Sequence, residues 1–122
     1  MIGYVTLGTN DLKRSAAFYD ALLAEVGAQR FMDSDRMVGW GTQPDQPMLA
    51  VCKPFDDKKA SAGNGTMVAL NVGSPEAVKK VHAKAMQLGA KDEGAPGPRG
   101  QGFYAGYFRD LDGNKLNVFF MG

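Results

Sequence analysis

The chain has 122 residues, 44% hydrophobic and 22% charged, with a net charge of +1, which is the make-up of one globular domain that buries a core without staples. Lys58, Lys59, Lys79, Lys80 and Lys84 alternate with acids rather than forming a stripe, which argues against nucleic acid or an anionic membrane as the main partner. No apolar run approaches the ~20 residues of a membrane span, the N-terminus shows no leader pattern, and the lone Cys52 forbids an internal disulfide; a cytoplasmic location is expected.

Ile2–Leu7 reads as a strand closed by Gly8-Thr9-Asn10. Thr9 or Asn10 is placed to cap the helix that follows. In that helix Leu12, Ala16, Tyr19, Leu23 and Val26 make one apolar stripe, and Gly27 ends it by tolerating positive φ. Three short strands follow, Ala28–Met32, Met37–Gly41 and Met48–Cys52, with polar turns at 33–35 and 44–47. Residues 54–65 are polar and read as a linker between a first module, residues 1–53, and a second, residues 66–122.

Thr66–Val72 opens the second module as a strand. Ser74-Pro75-Glu76 is a helix start, with proline at the first helical position, and Val78, Val81, Ala85 and Leu88 form its stripe. Glu93–Gly102, holding four glycines and two prolines, reads as an irregular loop at the mouth of a site. Phe103–Phe108 and Lys115–Phe120 are the last strands, joined by Asp110-Leu111-Asp112-Gly113-Asn114, where Gly113 takes positive φ and the aspartates bond nearby backbone N–H groups.

The chain is written twice. Tyr4-Val5-Thr6-Leu7 and its helix recur as Met67-Val68-Ala69-Leu70 and a second helix, at an offset of about 63 residues. The reading is therefore α+β: two tandem βαβββ modules with mainly antiparallel sheets and helices outside.

Three stretches then resemble the vicinal oxygen chelate superfamily of glyoxalases, bleomycin-resistance proteins and extradiol dioxygenases. They are Tyr4–Leu12 leading to Phe18-Tyr19, Gly63–Ala69, and Phe108–Leu116. The resemblance implies curled sheets enclosing a cavity, a homodimer, and metal ligands (His, Gln or Glu) on the first and last strands of each module. Carried onto this chain, those positions are Tyr4, Met67, Asn117 and a residue near Leu49, with a one-residue uncertainty in register at the last. Only Asn117 offers a donor suited to a divalent cation, so neither metal nor cofactor is expected. His82 falls where the first copy has Tyr19 and reads as a packing histidine, and Cys52 as an inert strand thiol.

A pocket on these positions is apolar with a few polar groups, suited to a small organic molecule. Tyr4 and Asn117 would supply hydrogen bonds, Leu49, Met67, Trp40 and Tyr104 the walls, and Arg99 a contact to an anionic or carbonyl group. Two alternatives stay open: a lyase, isomerase or dioxygenase of the same superfamily using Tyr4 as general acid, and a structural domain whose cavity is filled.

Overall fold

The computed structural model describes residues 1–122 and divides into two compact units, Met1–Ser61 and Ala62–Gly122. The first runs β1 (Tyr4–Gly8), α1 (Leu12–Ala24), β2 (Gln29–Asp33), β3 (Met37–Gly41) and β4 (Met48–Cys52). The second runs β5 (Val68–Asn71), α2 (Pro75–Gln87), β6 (Lys91–Pro98), β7 (Phe103–Arg109) and β8 (Lys115–Met121). Each unit is a βαβββ module, as its sequence repeat requires. The sheets have strand orders β1-β4-β3-β2 and β5-β8-β7-β6. They are mixed: β1 lies parallel to β4 and β5 parallel to β8, while the other pairs are antiparallel.

The cap of α1 is Asp11 rather than Thr9 or Asn10. Its carboxylate accepts from the Arg14 N–H at 3.0 Å, and Thr9 Oγ1 accepts from the Asp11 N–H at 3.0 Å. Asn10 is engaged elsewhere, accepting from the Ala60 N–H at 2.7 Å and so tying the end of the first unit to its first loop. Ser74 caps α2 by accepting from the Ala77 N–H at 3.1 Å, with Pro75 following.

Beneath α1 the stripe of Ala16, Tyr19 and Leu23 is widened by Phe18 and Leu22, all buried. Tyr19 meets Trp40 of β3, ring centroids 5.6 Å apart. The Trp40 Nε1–H donates to Asp20 at 2.8 Å, and Arg30 donates twice to the same carboxylate, so the indole's one polar atom is satisfied inside the core. Beneath α2, Val78, Val81 and Ala85 are joined by His82.

The segment Glu93–Gly102 departs from its sequence reading. Its first half belongs to β6, whose register with β7 shifts between Asp92 and Gly94 and again between Gly94 and Gly97. An edge strand tolerates prolines and glycines where a central one does not, because one side has no ladder to break. The remainder is a tight turn, with Gly100, Gln101 and Gly102 all at positive φ.

Candidate functional site

Side chains alternate across a strand, so cross-strand partners share a face. In the first unit the Tyr19–Trp40 contact marks the helix side. Trp40 is paired with Leu49, and Leu49 with Val5, so all three point toward α1. Two expected pocket walls are thereby corrected. Trp40 is 2% exposed and serves the helix–sheet core, and Leu49 is buried on the same side. The one-residue register uncertainty resolves to Ala50, which is paired with Thr6 in the first sheet as Asn117 is with Ala69 in the second. Tyr4 lies on the helix-free face, 56% exposed, and its hydroxyl makes no hydrogen bond within the chain.

In the second unit His82 marks the helix side, since a Cβ on Gly106 would come within 3.1 Å of its ring and Phe108 lies edge-on at 6.2 Å. Tyr104, two residues before Gly106, takes that side as well and lines a cleft of about 310 Å³ with Pro75, Pro98 and Phe120. It therefore does not share a face with Asn117. Tyr107 does, as the direct cross-strand partner of Asn117, and Phe119 follows two residues on. Met67, 41% exposed, immediately precedes β5.

Asn117 is the anomaly of this face. It is 1% exposed, and its Oδ1 is shielded from solvent with no hydrogen-bond partner in the chain. Leaving a buried acceptor unsatisfied costs about 1–3 kcal/mol, which makes this amide a candidate for an outside donor.

Two cations lie near the Tyr107 ring. The Arg99 guanidinium carbon is 5.5 Å from its ring centroid and Lys115 Nζ 5.7 Å. Arg99 is held by donating from Nη2 to the Ala95 carbonyl at 2.7 Å. It has room because Gly97 and Gly94 flank it: a Cβ at either would come 3.1 Å and 3.5 Å, respectively, from its terminal nitrogens. The acid on this face, Glu93, is occupied by Arg109, whose Nε donates to it at 2.8 Å; that hydrogen bond is the main cause holding the Glu93 carboxyl below its ordinary range.

His82 supports this arrangement from behind. Its Nε2 lies 3.2 Å from both Asp92 Oδ1 and the Tyr107 carbonyl, which ties α2 to β6 and β7. Asp92 also accepts from the Gly94 N–H at 2.9 Å, the largest of the causes lowering its pKa. Sequence reasoning placed Asn117 and Arg99 at the site but assigned neither Lys115 nor Tyr107 to it. The spacing Lys115-x-Asn117 on one strand was the available signal, since period-two alternation puts both on one face.

The positions where the resemblance implies metal ligands hold Tyr4, Ala50, Met67 and Asn117. One neutral amide oxygen among them does not fit a divalent cation, which needs several imidazole or carboxylate donors to replace its water. Elsewhere in the chain no three His, Cys, Asp or Glu side chains are grouped to hold a metal ion.

No functionally curated protein matches the chain. A solved glyoxalase/bleomycin resistance protein of Albidiferax ferrireducens is 31% identical, with a TM-score of 0.92 over 100% of this chain and 99% of its own. A hypothetical protein of S. aureus is 27% identical, with a TM-score of 0.75 over 98% of this chain and 92% of its own. A lactoylglutathione lyase of Agrobacterium tumefaciens, 20% identical with a TM-score of 0.70 over 98% of this chain and 92% of its own, shares the fold. The family model of the Glyoxalase/Bleomycin resistance protein/Dioxygenase superfamily matches residues 1–118. With one family model spanning nearly the whole sequence and a full-length relative above 30% identity, the chain belongs to the glyoxalase/bleomycin resistance protein/dioxygenase superfamily.

Proposed function

We propose that this superfamily member binds a small, partly apolar organic molecule without a metal, and that the helix-free face of its second sheet carries the recognition. The observation behind this reading is the Asn117 amide, whose buried Oδ1 lacks a donor at a position where the family's metal-using members keep a ligand. A ligand N–H or O–H would satisfy it once the side chains that shield it part to admit the group, and Phe119, stacked on Phe103 at 5.3 Å, offers apolar surface beside it. Homodimerisation and action in the cytoplasm belong to the same reading.

Two measurements test it. After incubation with zinc, nickel, manganese and ferrous iron followed by dialysis, elemental analysis is expected to find far less than one metal per chain. Stoichiometric retention of any of them sinks the metal-free reading. Light scattering behind size exclusion checks the dimer, and a monomer at working concentration removes it. The enzymatic alternative centred on Tyr4 is tested by Tyr4→Phe, which abolishes turnover while sparing ligand binding if that phenol is the general acid.

A further inference from the structure

We infer that the ligand is anionic: a carboxylate- or phosphate-bearing ring whose negative group is held by Arg99 and Lys115 at Tyr107, with a neighbouring N–H or O–H donating to Asn117 Oδ1. This rests on the small-molecule reading above and narrows it to a chemical class.

Charge supports it first. The helix-free face of the second sheet carries Lys91, Arg109, Lys115 and Arg99, against Glu93 as its acid. Arg109 takes up Glu93, and neither Arg99 nor Lys115 has a carboxylate within ion-pair distance. Glu93 also feels Lys115 and Lys91, so the face sets four cations against one acid, an excess that attracts anions more strongly than the near-neutral chain does as a whole.

Preorganisation is the second support. Arg99 sits over Tyr107 in the space left by Gly94 and Gly97, and is anchored through the Ala95 carbonyl. A guanidinium has five N–H donors, so those two anchoring contacts, to Ala95 and a long one to Pro98, leave others free for a planar anion. Its side chain is ordered before a ligand arrives, which lessens the entropy lost on binding. The bulged, glycine-rich edge strand thus makes the seat for a fixed cation.

Geometry is the third. Tyr107 and Asn117 are direct cross-strand neighbours, so the cations and the orphan acceptor border one small area. A ligand satisfying both must carry its anion beside a hydrogen-bond donor, and its entry must part the side chains that shield Asn117 Oδ1.

The test is an NMR titration of the isotope-labelled full chain with 2-aminobenzoate, its neutral amide 2-aminobenzamide, and 2-aminophenyl phosphate. The expected result is that at least one anion binds about tenfold tighter than the amide and moves the Asn117 and Tyr107 resonances. Arg99→Gln and Lys115→Gln should each weaken that anion several-fold, with melting temperatures unchanged. Whichever anion binds tighter assigns carboxylate or phosphate as the group recognised. Equal binding of the amide and both anions, indifferent to the two substitutions, overturns the anionic class while leaving the small-molecule reading standing. If no probe moves any resonance on this face at millimolar concentration, both fall.

Discussion

The two sheets share a topology and a register, yet their helix-free faces have opposite chemistry. In the first, the strands put Tyr4, Thr6, Met48, Ala50 and Gly39 on that face, with no lysine, arginine, aspartate or glutamate among them. In the second, the same rows hold Lys115, Asn117, Tyr107 and a bulged strand that seats Arg99. The helix sides differ less. Tyr19 and His82 occupy equivalent helix positions and both are buried, one packing on Trp40 and the other bonding Asp92 and a strand carbonyl. A duplicated fold constrains the side that packs, because every methylene there is felt by its neighbours. The other side is free to differ, and here only one copy carries charge.

The largest effect should come from the constrained side. Trp40→Ala removes the biggest buried side chain of the first unit and strands Asp20 and Arg30 without the indole, so urea denaturation should show a loss of about 3–5 kcal/mol. A much smaller loss would mean that Trp40 is not the anchor of the first helix–sheet interface. A reciprocal pair comes next. Asn117→Leu deletes an unsatisfied buried amide at similar volume and should stabilise the chain by about 1–3 kcal/mol. Ala50→Asn places an amide at the equivalent, fully buried position of the first sheet and should destabilise it by about 1–3 kcal/mol. If both substitutions prove neutral, the asymmetry of the two faces has no energetic meaning.

Much of this was legible in the residues themselves. The repeat of Tyr4–Leu7 at Met67–Leu70 yields the two βαβββ modules, and Met37–Gly41 and Met48–Cys52 match β3 and β4 at both ends. Gly113 at φ 88° and Asp110, which accepts from the Asp112 and Asn114 N–H groups, make the turn that their spacing implies. What failed was facing. Trp40 and Tyr104 could be placed on strands but not on a side, because a one-residue slip exchanges the faces and hydrophobicity marks both. Glu93–Pro98 failed for another reason: glycine and proline composition suggests a loop, whereas pairing with β7 along a bulged edge is a tertiary outcome. Lys115 and Tyr107 could not be assigned to the site from their residue types, because nothing marks them until Arg99 is brought beside them.

Acid sharpens the comparison with the smallest effect. Asp20 in the first unit and Asp92 in the second both have pKa values below their ordinary 3.8, the former chiefly through the Arg30 hydrogen bonds and the latter chiefly through the Gly94 N–H. A carboxyl whose folded pKa is depressed adds stability that is fully present above its unfolded pKa and is lost as pH falls through the folded value. Both contributions should therefore hold from neutrality down to about pH 4 and fade below it. The Asp20 side chain is 43% exposed, so solvent screening limits its share to about 1 kcal/mol or less. Trp40 is the sole tryptophan and touches Asp20, which makes its fluorescence a reporter of the first unit alone. Urea melts followed by that fluorescence should lose part of their acid slope in Asp20→Asn and none in Asp92→Asn. Amide exchange along β6 should show the reverse, because Asp92 holds that strand to His82. An acid slope that changes equally under both readouts would mean that the two units unfold as one, and that their different chemistry leaves no separate mark on stability.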